Sequence, residues 1–460
     1  MRVWALSMAL LLAACLSACS GGGGETAANE PDPTANAPVY TLLRAPRLLT
    51  DAELRTPAAP STVSAPSASE MQWLQGHHHP LRSLVEDTSF ADLDFLQSEL
   101  AGKRVVQLGE SSHGTAEFNL IKVRLIKYLH ERMGFDVLAF ESSVLSCHLQ
   151  NQQIASAVSS PAEMTRDCLF GVWQTAELSE LFRYIKATHG TARPLRLAGF
   201  DVQNSGRLDS TASLTSWILG LTRRVDPSAD ARVASLLAGI PTGSFNALVD
   251  VAALSAPVKL LLEQGAAQSA GVLKADFEMA LLALQALHDR NNYYREVGRN
   301  NNDQGTREKG MAQALTTLAQ RVYPNDKIIA WAHNAHVATH VQYFAGVRPM
   351  GDHLRENLGS QLYTIGLFML RGDNVTNYGT RGAQRVKDPN PGSLEALAYG
   401  LNLGAVFLPV GVVDQAGSGD DWQHRSINFR SWGTVDHQDV LSNNYNGLIV
   451  IDRSSLPAYH

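Results

Sequence analysis

The sequence predicts an α/β fold in which helices flank a largely parallel β-sheet. Short runs rich in Val, Ile and Leu recur along the chain, and amphipathic segments with helical spacing often follow them. Several of these runs are followed at once by an acid or a histidine. Strands covered on both faces have continuous apolar runs, and strands that alternate with helices form parallel sheets.

The first eighteen residues have the pattern of a secretory signal. Arg2 precedes an apolar run from Val3 to Leu12, and small residues follow it. The run is too short to span a bilayer as a mature helix. We therefore expect residues 1–18 to be a signal peptide that directs export.

A cysteine follows this signal. Leu16-Ser17-Ala18-Cys19 resembles a bacterial lipobox, which implies that the Cys19 thiol receives a lipid. Cys15 follows a similar quartet, but cleavage there would leave a very short signal, whereas Cys19 leads into a glycine run. We expect an anchor at Cys19 that holds the protein to a membrane of the bacterial cell envelope, in the periplasm or at the outer membrane.

Residues 19–69 are predicted to be a flexible linker, because Gly, Ala, Pro, Ser and Thr dominate them. The folded domain is expected over residues 70–460. His77-His78-His79 stands at its start, but adjacent histidines before a proline do not converge on one ion. We expect a solvated turn there.

Polar residues stand where four predicted strands end. The runs are 105–108 before Gly109-Glu110, 137–140 before Glu141, 195–200 before Asp201, and 328–331 just before His333. Further strands are expected at 362–370, 405–410 and 448–451. Because ligands bind beyond the carboxyl ends of parallel strands, we expect these acids and histidines to line one cleft.

The segment from about 207 to 323 differs from the rest of the domain in composition and in its hydrophobic pattern. It is rich in Ala and Leu at helical spacing and contains no convincing strand. We interpret it as a helical insertion that covers the cleft, and a separate helical domain is the alternative.

Charge and cysteine content narrow the function classes. A net charge of −6 and a pI near 6.2 give no basic field for a polyanion, so we exclude nucleic acid as a partner. Beyond the signal region the cysteines are Cys147 and Cys168. In an oxidising envelope we favour a disulfide between them over two buried thiols.

The segment Gly109 to Glu117 lies between a predicted strand and a predicted helix. We expect its backbone amides to face the cleft, where a helix N-terminus favours an oxyanion or a carboxylate. His113 can act as a general base, and Glu110 or Glu141 can fix its tautomer. Neighbouring Ser111 and Ser112 seldom form a nucleophile–base pair with such a histidine, so water is the expected nucleophile.

His333 and His336 follow another strand. Three residues apart, they face the same space if the segment enters a helical turn. They then either donate hydrogen bonds to an oxyanion or ligate a metal with a carboxylate. Asp201 either orients a group in the site or caps a helix. Three basic residues either bind a substrate anion or are charges on helix surfaces: Lys122, Arg124 and Arg307.

In order and kind these motifs resemble the erythromycin esterase family, over most of the chain after about Trp73. The matching elements are Gly109 to Glu117; Gly134-Phe135 with Glu141; Trp173, Thr175 and Glu177; Gly199, Asp201 and Gln203; Arg307-Glu308 with Met311; Trp331 to His336; and Met350-Gly351 with Leu354. Glu308 stands where the resemblance leads us to expect Asp.

The resemblance implies hydrolysis of a small-molecule ester or lactone without a cofactor. His113 would be the general base for water, with Glu110 and Glu141 supporting it, while His333 and His336 polarise the carbonyl. Substrate binding is assigned to Glu117, Asp201 and Arg307. The lipoprotein signal and the cysteine pair separate this chain from cytosolic resistance enzymes, so a macrolide is one candidate substrate among several.

Two alternatives use the same residues. One is a non-catalytic envelope lipoprotein that binds haem or a metal through its histidines. The other is a metal-dependent hydrolase with a divalent metal on Glu110, His113, Glu141 and His333. Carboxylates directed at histidines favour water activation over haem binding, which needs an axial ligand and an apolar slot.

Overall fold

The computed structural model describes residues 63–85, 89–156, 158–242, 249–298, 304–340, 343, 346–375, 382–411 and 422–460. The predicted signal peptide, the lipid attachment at Cys19 or Cys15, and the predicted linker up to residue 62 lie outside these ranges. The first described helix begins at Ala68, just inside the predicted end of the linker.

The strands form one large sheet and one hairpin. Their bounds are β1 His79–Pro80, β2 Val105–Leu108, β3 Phe135–Ser143, β4 Arg196–Asp201, β5 Lys327–Trp331, β6 Leu362–Val375, β7 Ala383–Arg385, β8 Ala405–Pro409, β9 Ser426–Ser431, β10 Val435–Val440 and β11 Gly447–Ser454. The large sheet has the order β1-β8-β11-β6-β2-β5-β3-β4, and β7 pairs with β6.

The centre of this sheet is parallel, which confirms the predicted fold class. The six strands from β11 to β4 in the sheet order pair in parallel. Strands β1 and β8 join antiparallel at one side. Strand β2 is buried at all four positions, and its residues are apolar except Gln107, so its run shows no regular alternation.

Helices cover both faces of the sheet. They are α1 Ala68–His77, α2 Leu96–Glu99, α3 Ala116–Met133, α4 Val144–Gln153, α5 Pro161–Cys168, α6 Ala176–Thr188, α7 Thr211–Thr222, α8 Asp230–Ala238, α9 Val251–Gln268, α10 Gly271–Gly298, α11 Gln304–Thr317, α12 Asn334–Val337, α13 Met350–Leu358 and α14 Leu394–Tyr399. Among the described residues, no helix has the length and apolar character that crossing a membrane requires.

The regular elements that the structure describes between β4 and β5 are all helices, among them α7 to α11. Helices α7 to α10 bury an apolar cluster of their own, which includes Leu214, Leu262 and Phe277. Arg290 of α10 attaches this region to the sheet, because its Nε donates to the Val202 carbonyl at 2.7 Å and its Nη2 donates to Asp209 at 2.9 Å.

Two features lie outside the predicted strands and turns. The antiparallel hairpin β9–β10 lies apart from the large sheet, and its turn carries Trp432. His77 and His78 end helix α1 with ring contacts to the carbonyls of Trp73 and Leu74. The expected solvated turn is therefore the end of a helix.

Cys147 of α4 and Cys168 of α5 form a disulfide with an S–S distance of 1.99 Å. Both cysteines are buried. The bond joins the two helices that follow β3.

Candidate active site

The site lies at the carboxyl ends of four neighbouring strands, in the order β2-β5-β3-β4. Leu108 and Phe140 both align with Trp331 of β5, so the ends of β2, β5 and β3 lie at one level. Glu110, His333 and Glu141 come within two residues of these aligned positions. The registers therefore bring together residues that are more than two hundred positions apart in sequence.

Gly109 permits the close approach of two loops. A Cβ at this position would lie 2.1 Å from Asn334 Oδ1. Asn334 in turn donates its backbone N–H to the Glu110 carbonyl at 2.8 Å and its Nδ2 to the Leu367 carbonyl at 3.0 Å. The glycine thus allows the histidine loop after β5 to pack against the Glu110 loop.

His113 is oriented by Glu110. The Nδ1–H of His113 donates to Glu110 Oε1 at 2.6 Å, and both side chains are buried. The same oxygen accepts from Trp173 Nε1 at 2.8 Å, and the Trp173 ring meets His113 edge-on at 4.8 Å. With its proton on Nδ1, His113 has Nε2 as a proton acceptor, as a general base requires.

Lys122 is part of this arrangement. Its Nζ donates to Glu110 Oε2 at 2.6 Å and lies 4.2 Å from the centre of the Trp331 ring. Burial raises the pKa of Glu110, but Lys122 and then the His113 hydrogen bond outweigh it and hold that pKa below its ordinary value. Burial lowers the pKa of Lys122 to about 8, against the opposing effect of Glu110.

Glu141 does not make the expected contact with His113. Its Oε2 accepts the backbone N–H of His333 at 2.9 Å, and its Oε1 accepts from Arg307 Nη2 at 2.8 Å. Burial would raise the pKa of Glu141, but His336 and Arg307 hold it well below the ordinary range. Glu141 therefore positions the histidine loop, because its oxygens are taken by groups on the loop after β5, on α11 and on α12.

His336 was expected to polarise a carbonyl, but its ring nitrogens face carboxylates. Nδ1 lies 2.5 Å from Glu308 Oε1 and Nε2 lies 3.1 Å from Glu141 Oε1. Burial lowers its pKa, and the two carboxylates outweigh this and raise the pKa to about 10. Arg307 Nη1, 3.2 Å from Nε2, opposes the two carboxylates, whose combined effect favours the imidazolium form of His336 at neutral pH. Both ring nitrogens are thus held within the protein.

Asp201 and Arg307 form the innermost part of this network. Arg307 donates to both oxygens of Asp201 as well as to Glu141, and all three side chains are buried. The predicted substrate-binding role of Asp201 and Arg307 therefore lacks geometric support, because they bind each other. Glu308 follows Arg307 on α11 and stands where the resemblance led us to expect Asp. Its Oε2 accepts the Met350 backbone N–H at 2.8 Å.

His333 retains a free donor. The backbone N–H of Ala335 donates to its Nδ1 at 3.1 Å, so Nε2 carries the proton of the neutral ring. That Nε2 is buried and makes no hydrogen bond of good geometry, although the Ser111 backbone lies close enough to the ring to act on it. Burial, and then the neighbouring His113 and His336, lower the pKa of His333 well below its ordinary value. The ring centres of His333 and His113 lie 4.9 Å apart.

Trp432 completes the wall beside both histidines. Its indole stacks on His333 with centres 4.7 Å apart and meets His113 edge-on at 5.6 Å. Its backbone N–H donates to the Ser111 carbonyl at 2.7 Å. The sequence gives no local signal for Trp432, because it lies about a hundred residues beyond His333 in a hairpin.

Three expectations for the first motif are corrected. Its amides do not all face the cleft, since those of Ser111, Gly114 and Ala116 donate to Leu367, Ser112 and Ser455. Glu117 lies apart from the site, where both of its oxygens hold Ser455. Lys122 and Arg124 are not helix-surface charges, because Lys122 binds Glu110 and Arg124 binds Asp92.

The carboxylates of the site are paired with protein cations. Lys122 pairs with Glu110, while Arg307 and His336 share the three carboxylates of Asp201, Glu141 and Glu308, so this set retains a negative charge. Within the described ranges, no three His, Cys, Asp or Glu side chains are arranged to hold a metal ion. The donor set therefore does not fit the proposed divalent metal, since its oxygens already accept from cationic groups.

Comparison with known proteins agrees with this geometry. The family model of erythromycin esterase matches residues 130–454. The Bacillus subtilis (strain 168) protein named "Putative hydrolase YbfO" is 30% identical over 85% of this chain and 93% of its own length. Erythromycin esterase type II of Escherichia coli is 23% identical over 73% of this chain and 88% of its own length.

A solved structure shares the fold. A mutant of the erythromycin esterase EreC in its open conformation superposes with a TM-score of 0.58 and 19% identity, over 83% of this chain and 98% of that one. The family model alone spans well over half of the sequence. The chain therefore belongs to the erythromycin esterase family.

Proposed function

We propose that this protein hydrolyses a carboxylic ester or lactone with a water molecule that His113 activates. The observation that carries the proposal is the buried chain Lys122–Glu110–His113. In it a carboxylate held by two other donors fixes the proton of His113 on Nδ1 and leaves Nε2 as the base. The names of the family model and of the related esterases support the same reaction class.

The reaction divides into two proton transfers. His113 Nε2 takes a proton from water as the water oxygen bonds to the carbonyl carbon, and the carbonyl oxygen becomes an oxyanion. The carbon–oxygen bond to the leaving group then breaks, and the His113 imidazolium gives its proton to the departing alkoxide. Glu110 stabilises the imidazolium between the two steps, and His333 Nε2–H is the proposed donor to the oxyanion.

The charges around the site favour a neutral reacting group. Each cation beside His113 and His333 that the structure describes is already paired with a carboxylate. A substrate carboxylate or phosphate at this position would lack a counter-ion and would lie near Glu110 and Glu141. Uncharged esters and lactones, including macrolide lactones, are therefore the proposed substrates.

Mass spectrometry of intact products tests this proposal. The protein is incubated with erythromycin and with a panel of simple esters and lactones, and each product is weighed. Gain of one water by erythromycin supports a macrolide esterase. Gain of one water by other lactones alone, or cleavage of simple esters into acid and alcohol, supports an esterase of different specificity. No hydrolysis of any substrate would refute the proposal and favour the binding-lipoprotein alternative.

The metal-dependent alternative is decided in the same assay. Each active reaction is repeated after chelation, with the metal content of the protein measured alongside. Activity that persists in metal-free protein supports water activation by His113 alone. Activity that is lost on chelation and returns with a divalent metal would favour the metal-dependent mechanism.

The proposed location is the cell envelope, through a lipid on Cys19. In a bacterial host, Cys19→Ser is expected to move the protein from the membrane fraction to the soluble fraction. Cys15→Ser is the matched control and is expected to leave it with the membrane. The reverse pattern would assign the anchor to Cys15.

A further inference from the structure

We infer that the indole N–H of Trp432 is the second hydrogen-bond donor to the oxyanion, together with the Nε2–H of His333. The inference rests on the proposed ester or lactone hydrolysis. It assigns a catalytic residue outside every motif that the sequence made prominent.

Several groups near His333 cannot donate to the oxyanion with it. Oxyanion sites in acyl transfer use preorganised N–H groups, commonly more than one. His336 cannot share the role with His333, because its ring nitrogens face Glu308 and Glu141. The amides of Ser111, Gly114 and Ala116 are also taken. None of these groups is therefore available as the partner donor of His333 Nε2–H.

The backbone of Trp432 has an unusual conformation. Its φ is +56°, a value that bulky L residues rarely adopt. The turn is held by its N–H on the Ser111 carbonyl and by its carbonyl, which accepts from Asn374 at 3.1 Å and Gln384 at 2.6 Å. Such conformations persist where surrounding contacts enforce them, and they concentrate at functional sites.

The indole N–H of Trp432 is buried and unpaired. Trp432 is only 6% exposed, and its Nε1 is buried without a hydrogen-bond partner. An unpaired buried N–H destabilises a fold, so its presence points to an acceptor that arrives with a ligand. Other buried indole nitrogens also lack partners, including that of Trp422. Among these rings, Trp432 is the one recorded in contact with both His113 and His333.

These observations join in the oxyanion step. The Trp432 and His333 rings lie parallel within 19°, with centres 4.7 Å apart, and each has a nitrogen without a partner. Both groups are neutral donors, so they stabilise the developing charge without giving up a proton. The proton that moves in the reaction remains the one that His113 carries.

The test compares two tryptophan variants of the full-length protein. Trp432→Phe keeps an aromatic ring and removes the N–H. Trp422→Phe makes the same change at a fully buried indole that packs on Trp73, outside the site. We expect Trp432→Phe to lower kcat by about 10²- to 10³-fold with KM changed by less than about threefold. Trp422→Phe is expected to stay within about twofold of the parent.

The pH profile separates a donor from a packing role. Loss of a donor lowers the plateau of kcat/KM and leaves its acid midpoint unchanged. If Trp432 only holds His113 in place, the midpoint moves together with the plateau, and such a moved midpoint would overturn the inference. Trp432→His, which keeps a ring N–H, is expected to exceed Trp432→Phe in kcat by at least about tenfold.

The remaining outcomes are decisive as well. Should Trp432→Phe fail to fold, a kcat of Trp432→His within about tenfold of the parent supports the inference, and a hundredfold loss overturns it. Parental kcat in folded Trp432→Phe overturns this inference alone. A parent protein that hydrolyses no ester or lactone overturns both this inference and the proposed function.

Discussion

His336 and Glu308 face each other at 2.5 Å between Nδ1 and Oε1, and the second oxygen of Glu308 accepts the Met350 backbone N–H. One carboxylate therefore connects the histidine loop to two helices, α11 and α13. With Glu141 it raises the pKa of His336 to about 10 in spite of burial.

Glu308→Gln is expected to lower the free energy of unfolding by about 2 kcal/mol at neutral pH, because a charge-assisted buried hydrogen bond becomes a neutral one. The measurement is urea unfolding at several pH values. Glu356→Gln is the control, since Glu356 lies on α13 in an exposed ion pair with Arg348 and contributes little.

The pH dependence of this effect has a definite sign. The pKa of His336 rises from 6.5 to about 10 on folding, so its stabilisation is complete below pH 6.5 and is lost towards pH 10. Lys122 instead adds to the free energy of unfolding as the pH rises above 8, because folding lowers its pKa. The difference in free energy of unfolding between the parent and Glu308→Gln should narrow from pH 7 to 10. A constant difference would contradict the raised pKa of His336.

His113→Ala is expected to reduce kcat/KM by about 10²- to 10⁴-fold, because the general base is lost. Melting curves should show a fold that is largely intact. His189→Ala is the control, since His189 contacts the Leu195 carbonyl beside the amino-terminal end of β4. Turnover close to that of the parent in His113→Ala would refute the role of His113.

Lys122→Met is expected to move the acid limb of kcat/KM to higher pH. Burial raises the pKa of Glu110 and Lys122 opposes it, so removing the cation allows the carboxylate to protonate at higher pH. Glu110 stabilises the fold above its unfolded pKa, and the variant loses part of this as pH falls. The control is Lys127→Met on the same helix, where Lys127 contacts Tyr184; this variant should leave the acid limb of kcat/KM unchanged. An unchanged acid limb in Lys122→Met would show that Lys122 does not support the general base.

Reduction of the Cys147–Cys168 disulfide is expected to lower the free energy of unfolding by about 3 kcal/mol, as for a closed loop of this size. Urea unfolding with and without dithiothreitol measures the effect. The double variant Cys147→Ala with Cys168→Ala should unfold like the reduced parent and should not respond to the reductant. Equal stability of oxidised and reduced parent would contradict the expectation.

The parallel sheet could be predicted from the sequence because its strands have a local signal. Strands such as β2 and β5 are buried along most of their length, so each appears as a mainly apolar run, with Gln107 in β2 and Lys327 at the start of β5 as the polar residues. The polar residues after them were expected in one cleft for the same topological reason. Glu110, His113, Glu141, His333 and His336 do come together there.

The contacts inside the cleft could not be predicted, because their causes are distant in sequence. Lys122 has the pattern of a surface lysine on an amphipathic helix, and only the placement of Trp331 and Glu110 shows that it is buried. Whether His336 or Trp432 donates to a substrate depends on Glu308 and on a hairpin turn. These partners are fixed by tertiary packing and leave no periodicity to detect.

Strand β11 lies between β8 and β6 in the sheet order, yet it is the last strand along the chain. Just beyond it, the Ser455 backbone N–H reaches Glu117 across 338 residues of sequence. Such non-local pairing makes folding slow, because most of the chain must be available before the sheet closes. A chain that lacked β11 would leave β6 and β8 as open edges that invite intermolecular pairing, so we expect it to aggregate and not to retain partial activity.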